Sequence, residues 1–284
     1  MKVRIIVDST ADLTAEVKER LTVVPLTVHF GEEEYVDGVT IDHKMFYEKL
    51  VESDVLPTTS QATPGTFAQV FEEVVKAGES AVVITLASKL SGTYQSAVIA
   101  AEDHPEQIFV VDSQTTAIGA GILAELALRM VDEGLNAKEI AEGIAREREN
   151  VCLVAMLDTL EYLKQGGRIS KAVALAGGLL SIKPVVSIQD GEILMLGKAR
   201  GSKQGNNLLV SEIRKAGGVD FTKPLLLGYT GLSDVLLQKY VEDSRSLWEE
   251  SKDALRATPI GSVVGTHAGP GAIAVAFFKS SKIE

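Results

Sequence analysis

Hydroxyl-bearing residues crowd four short stretches of this chain: Asp8-Ser9-Thr10, Thr58-Thr59-Ser60-Gln61, Ser88-Lys89-Leu90-Ser91-Gly92-Thr93 and Asp112-Ser113. Hydroxyl groups can donate hydrogen bonds to an anionic oxygen. The third stretch says most. Ser91 is suited to cap a helix, and Gly92 beside it lets a ligand approach the backbone. The first N–H groups of a helix lack intrahelical partners and, with the helix dipole, suit an anion. A plain capping serine is the other reading and stays open. One arginine and one histidine sit in glycine-rich turns, Gln165-Gly166-Gly167-Arg168-Ile169-Ser170-Lys171 and Thr266-His267-Ala268-Gly269-Pro270-Gly271. Glycines before Arg168 let the backbone turn and leave the guanidinium available for a carboxylate or other anion. A structural ion pair or a helix C-cap at Arg168, and a purely structural His267, remain as alternatives.

The commoner enzyme signatures fail on inspection. Gly119-Ala120-Gly121-Ile122-Leu123-Ala124 has dinucleotide-fingerprint spacing, but it lies inside a helical pattern and not at a strand-to-helix turn. Small residues that permit close helix packing explain it. Residues 191–198 approximate a phosphate loop with one residue too many, and Ala199 stands where Ser or Thr is required. There is no GxSxG elbow and no HExxH pair, and His29, His43, His104 and His267 have no metal-ligand spacing.

The scaffold follows from periodicity. Residues 3–8, 22–30, 81–86 and 108–112 read as strands, and 42–53, 63–76, 92–102 and 116–132 as helices. Thr63-Pro64 is a cap followed by a first-turn proline. Strands alternating with helices imply parallel βαβ units, so three of the hydroxyl stretches fall at the carboxyl ends of strands, where open α/β sheets bind ligands. The second half reads differently. Gln189-Asp190-Gly191-Glu192 joins two β-rich runs as a hairpin. Helices follow at 203–216 and 232–248, with strands at 224–229, 262–266 and 272–278, which places His267 in a loop between strands.

Length and composition fit this reading. The 284 residues suit two domains, divided here at 1–155, a Rossmann-like α/β domain, and 156–284, an α+β domain. The expected fold class is α/β, with an N-terminal three-layer α/β/α unit on a mainly parallel sheet and a C-terminal unit on a mixed or antiparallel one. Lys plus Arg total 28 against 39 Asp plus Glu, and the net charge of −11 argues against a nucleic-acid partner. The single cysteine, Cys152, sits in an apolar run and fits a reducing compartment. No stretch is long and apolar enough for a transmembrane segment or signal peptide, so the expectation is a soluble, cytoplasmic protein.

Taken in order, these motifs resemble the DegV family. The match begins at Val7-Asp8-Ser9-Thr10-Ala11-Asp12 and continues through Tyr35-Val36-Asp37-Gly38, Pro57-Thr58-Thr59-Ser60-Gln61 and Leu90-Ser91-Gly92-Thr93-Tyr94-Gln95-Ser96-Ala97. It extends through Val110-Val111-Asp112-Ser113, Leu163-Lys164-Gln165-Gly166-Gly167-Arg168-Ile169-Ser170 and Ile182-Lys183-Pro184 to the closing Gly-Pro-Gly turn. The resemblance implies a DegV-like fold with a long-chain fatty acid, such as palmitate, held between the two domains. It implies the role of binding subunit for a fatty-acid kinase, which would phosphorylate the carboxylate for phospholipid synthesis. By that resemblance Thr59 and Ser91, with the Gly92 N–H close by, hold the carboxylate. Arg168 and His267 belong to the phosphotransfer or partner-facing network. Ala62 departs from the family pattern, standing where proline often follows the Thr-Ser-Gln motif, and could shift the Thr59 loop.

The resemblance thus implies a lipid carrier with no cofactor, no metal and no catalytic residue of its own. An alternative is a small-molecule kinase or phosphotransferase-like enzyme of related fold, with His267 or Asp8 catalytic, though no nucleotide loop supports it. A sugar- or metabolite-binding module is a third reading.

Overall fold

The apolar run Val3–Asp8 forms β1, one of the two inner strands of a four-stranded parallel sheet ordered β2-β1-β6-β7. Its partners are β2 (Thr22–Val24), β6 (Ser80–Thr85) and β7 (Ile108–Asp112). The computed structural model describes residues 2–169, 182–249 and 255–280. Ser170 and Lys171 of the Gly-Gly-Arg stretch lie outside the described residues. The run predicted as one strand over 22–30 is two. Pro25, which lacks an N–H, breaks it, and β3 (Thr27–Phe30) joins a separate antiparallel sheet between β4 (Glu33–Val36) and β5 (Thr58–Ser60).

Helices α1 (Ala15–Lys18), α2 (His43–Glu52), α3 (Pro64–Lys76), α4 (Thr93–Ala101), α5 (Ala117–Asp132) and α6 (Ala137–Glu147) connect and cover these sheets. Thr63 caps α3 as predicted, its hydroxyl accepting the Thr66 N–H at 3.2 Å. In α5 the glycines of the rejected fingerprint serve packing, because a side chain on Gly121 would overlap the carbonyl oxygen of Asp12.

The second half builds a six-stranded mixed sheet ordered β10-β9-β8-β13-β11-β12. Its strands are β8 (Val151–Met156), β9 (Ile182–Gln189), β10 (Glu192–Arg200), β11 (Leu226–Tyr229), β12 (Ala257–Pro259) and β13 (Ile273–Phe278). Asp190 and Gly191 have φ of 50° and 78°, so the predicted hairpin turn is left-handed at both central residues. β8 pairs with β9 and β13, so the chain enters the second sheet at residue 151, ahead of the predicted division at 155. Half-buried Cys152 lies on β8, and burial raises its thiol pKa.

The remaining helices are α7 (Glu161–Gln165), α8 (Gly201–Lys215), α9 (Val235–Asp243) and α10 (Ser262–Ala268). α10 corrects the sequence reading, which made 262–266 a strand. Its β-branched run suits either state, and contacts from the first half of the chain decide for helix. His267 therefore stands in the last turn of a helix. The helix predicted over 232–248 stops at Asp243. The Ser244 hydroxyl bonds back to the Tyr240 carbonyl at 2.5 Å and accepts the Trp248 indole N–H at 2.8 Å, and a 3-10 turn, Arg245–Leu247, follows.

Helix α5 lies between the two larger sheets, packing on β1 and β6 on one side and on β8, β11 and β13 on the other. One apolar core accordingly runs from Val7 and Ile84 through Ile118 and Ile122 to Leu153 and Ala276. This arrangement leaves the carboxyl ends of the parallel strands facing one surface of the six-stranded sheet.

Candidate functional site

A cavity of about 380 Å³ occupies the space between those strand ends and the six-stranded sheet. That falls within the range of roughly 300–1,000 Å³ usual for small-molecule sites. Its floor is aliphatic. Leu153, Ala155 and Leu157 contribute from one face of β8 and the residue beyond it, and Ala274 lies opposite Ala155 on β13. Leu86 and Leu90 come from the loop after β6. Thr59, Ser91, Gly92, Arg168 and His267 all line the same cavity, so the structure brings every predicted site residue to it.

Hydrogen bonds and close packing connect these five. Thr59 lies on β5, its hydroxyl 2.9 Å from His267 Nε2. The other ring nitrogen, Nδ1, is buried without a hydrogen-bond partner among the described residues and packs against Gly166, where a side chain would overlap it. A buried N–H without an acceptor is costly, so the proton resides on Nε2 and is donated to Thr59 Oγ1. The Thr59 O–H is then free to donate into the cavity. Burial, with the Arg168 charge adding to it, lowers the His267 pKa to about 4. The ring is neutral at physiological pH.

The backbone around Arg168 takes up the C-cap reading. Gly166-Gly167-Arg168 closes α7 in a Schellman arrangement, with the Gly167 N–H on Lys164 O at 3.2 Å, the Arg168 N–H on Leu163 O at 3.1 Å, and Gly167 at φ 68°. The side chain then lies along the cavity wall, Nε donating to Leu90 O at 3.1 Å and Nη1 to Gly166 O at 2.6 Å. Among the described residues no carboxylate pairs with it, so its charge remains available to an anion.

Ser91 is displaced by one residue from the predicted capping position, because Gly92 is the N-cap of α4. The Ser91 hydroxyl still accepts the Thr93 N–H at 3.3 Å and lies 2.9 Å from the Thr93 hydroxyl. Gln61 was not singled out from the sequence, yet it covers Gly92 closely enough that a side chain there would overlap its Oε1. Its amide Nε2 donates to Ser96 Oγ at 3.0 Å. The cavity floor was also missed, although the spacing of two at Leu153, Ala155 and Leu157 carries its signal. Among the described residues no cluster of three His, Cys, Asp or Glu side chains could hold a metal ion, and no helix is long and apolar enough to cross a membrane. An aliphatic floor beside a cluster of hydroxyls, an arginine and a helix N-terminus suits an apolar molecule that carries an anionic group.

The DegV family profile, described as "Uncharacterised protein, DegV family", matches residues 2–280. A DegV domain-containing protein of Caldanaerobacter subterraneus is 34% identical over 281 residues, covering 97% of this chain and 98% of that one. One of Deinococcus radiodurans is 32% identical over 282 residues, covering 97% and 98%. Among solved structures, a DegV family protein from Thermus thermophilus described by its fatty-acid binding has a TM-score of 0.87 at 29% identity, covering 98% of this chain and all of that one. A stearic-acid-binding protein from Eubacterium ventriosum gives 0.87 at 28% identity, with 98% of each chain covered. DegV of Bacillus subtilis, described as a fatty acid binding protein, gives 0.82 at 28% identity, covering 98% and 100%. With a family match over nearly its whole length and relatives above 30% identity, the chain belongs to the DegV family.

Proposed function

We propose that this protein binds a long-chain fatty acid in the cavity, with the carboxylate at the Thr59, Ser91 and Gly92 end. It then presents the carboxylate to a separate fatty-acid kinase. The observation that carries the reading is that an otherwise largely aliphatic cavity gathers two hydroxyls, a helix start and an arginine without a carboxylate partner among the described residues into one cluster. Burial of methylenes is worth about 0.8 kcal/mol each, so the chain supplies most of the affinity. The polar cluster keeps the carboxylate from being buried without partners and fixes its register. The fatty-acid-binding relatives above support the same ligand class.

Transfer requires that a carboxylate oxygen attack the γ-phosphorus of ATP while ADP leaves. The kinase would supply the nucleotide site, and this chain the oriented nucleophile. Hydroxyl donors suit that task because they leave one carboxylate oxygen accessible, whereas a bidentate arginine clamp would occupy both. In this reading the cavity lies between the proposed units 1–155 and 156–284, and the protein is a cytoplasmic carrier in fatty acid metabolism with no cofactor.

Native mass spectrometry of the purified protein tests the ligand. A co-purified or refed fatty acid is expected, and failure to retain palmitate or oleate after delipidation would end the reading. The transfer step is tested with a cognate kinase and ATP. Arg168→Ala and His267→Ala should keep fatty-acid affinity within about tenfold, roughly 1.4 kcal/mol, while sharply reducing acyl-phosphate formation. Acyl phosphate made by this chain and ATP alone would replace the carrier with an enzyme.

A further inference from the structure

Two sequence motifs lie outside the set of Thr59, Ser91, Gly92, Arg168 and His267: Asp8-Ser9-Thr10-Ala11-Asp12, of which Thr10 alone lines the cavity, and Tyr35-Val36-Asp37-Gly38. They converge on the N-terminus of α10. Asp12 Oδ1 accepts the Gly261 N–H at 2.7 Å. Asp37 accepts the Ser262 hydroxyl, and the Ser9 hydroxyl and Ser262 backbone N–H turn toward the same carboxylate. Both aspartates are buried, at 6% and 7% exposure. Each is mounted rigidly through its own backbone, Asp12 N–H on Ala117 O at 3.2 Å and Asp37 N–H on Leu26 O at 3.0 Å.

Helix α10 has no capping side chain of its own. A serine or asparagine at position 261 would cap it locally and at little cost. The chain instead buries two carboxylates, one of which, Asp12, keeps an oxygen with no partner among the described residues. Burial raises both pKa values, and the Asp37 charge raises that of Asp12 further. A local cap would fix the helix end but not its place. Carboxylates from two loops of the first half fix where α10, a segment of the second half, sits against β3, β5 and α2. Gly265 at mid-helix packs on Tyr47, and the last turn delivers His267 to Thr59.

We propose that Asp12 and Asp37 are positioning residues for the head-group end of the cavity: they pin α10 against the first half of the chain and so hold His267 in hydrogen-bonding register with Thr59. The meaning given to the head group rests on the fatty-acid reading, while the coupling to His267 stands without it.

The test uses the full chain. In ligand-free protein, the ¹⁵N shifts of the His267 ring, assigned by their loss in His267→Gln, should show a neutral ring protonated at Nε2. Asp12→Ala and Asp37→Ala should move these signals, whereas Asp12→Asn, which keeps an oxygen for the Gly261 N–H, should restore them. The second readout is relative affinity for palmitate and for 1-hexadecanol, which share a chain and differ in the head. The alanine variants should lower the preference for palmitate by about fivefold, the scale of one weakened charge-assisted hydrogen bond. Should they fail to fold, Ser262→Ala removes a donor to Asp37 and should shift the ring signals likewise. Folded variants with wild-type ring signals and a wild-type palmitate preference would overturn the proposal. If the wild type binds neither probe, the fatty-acid reading falls and the ring signals alone decide the positioning role.

Discussion

Removing the Thr59 hydroxyl deletes the acceptor of the His267 Nε2–H together with a donor facing the cavity. Thr59→Ala is therefore expected to weaken fatty-acid binding by about 1–2 kcal/mol, as is Ser91→Ala. The double variant should lose less than the sum, since both hydroxyls address one carboxylate. Isothermal titration of the four proteins measures this, and unchanged affinity in the double variant would remove both from the site. His267 also makes a prediction about pH. Its folded pKa of about 4 lies below the ordinary 6.5, so between those values the unfolded chain binds a proton that the folded chain excludes. The residue's contribution is present above pH 6.5 and is lost as pH falls through 4. Asp8, Asp12 and Asp37, with raised pKa values, act in the opposite sense, so wild type must be compared with His267→Gln, which retains them. In ligand-free protein the stability difference between the two should shrink by about 3 kcal/mol from pH 7 to pH 4, read from urea unfolding. A difference independent of pH would mean that the ring is not held neutral.

At the level of elements, what could be read from the sequence was what local pattern determines. The parallel strands are uninterrupted apolar runs, Thr63-Pro64 marks its helix start, and Asp190-Gly191 forces its hairpin turn. The hydroxyl stretches at the strand ends and the Gly-Gly turn before Arg168 were legible for the same reason. Three features were not. Thr58-Thr59-Ser60 is a polar three-residue strand with no alternation to betray it, and it exists because β3 offers an edge. Residues 262–266 look extended until carboxylates from positions 12 and 37 satisfy the helix start. The Thr59–His267 contact joins residues 208 positions apart, which spacing cannot show. Gly265 is the local imprint of that distant packing. On propensity alone Gly265→Ala would stabilise α10 by up to about 1 kcal/mol. Here the added methyl would overlap Tyr47 Oη and lie 2.8 Å from the Phe46 ring, and both rings are fully buried. Tyr47 cannot yield easily, since its hydroxyl donates to Ile260 O at 3.2 Å. The expected outcome is a loss of about 1–3 kcal/mol and weaker palmitate binding. Gly92→Ala meets only the Gln61 side chain, which can rotate away at the loss of its bond to Ser96, and with alanine a poorer N-cap than glycine should cost no more than about 1 kcal/mol. Equal stability of the two variants would contradict this account of α10.

Across the whole molecule, the two larger sheets share α5 as a common layer, and one apolar core passes through it from sheet to sheet. Unfolding either sheet alone would expose the α5 face that the other half needs covered, so neither half has a complete core by itself. The cavity sits at the end of this shared layer, between strand ends of one sheet and the surface of the other, and a ligand there touches both. These facts predict one cooperative transition for a chain with two sheets. Trp248 is the single tryptophan and reports on one side only, buried at 1% in a separate cluster with Tyr240 and Leu237 on the six-stranded sheet. Far-UV circular dichroism reports helices on both sides. The two signals should give coincident urea transitions. Palmitate at about a hundred times its dissociation constant should stabilise the protein by about 2.7 kcal/mol and shift both signals together. A tryptophan transition that precedes the dichroism change, or a ligand shift seen by one probe alone, would show that the halves unfold independently and that α5 does not couple them.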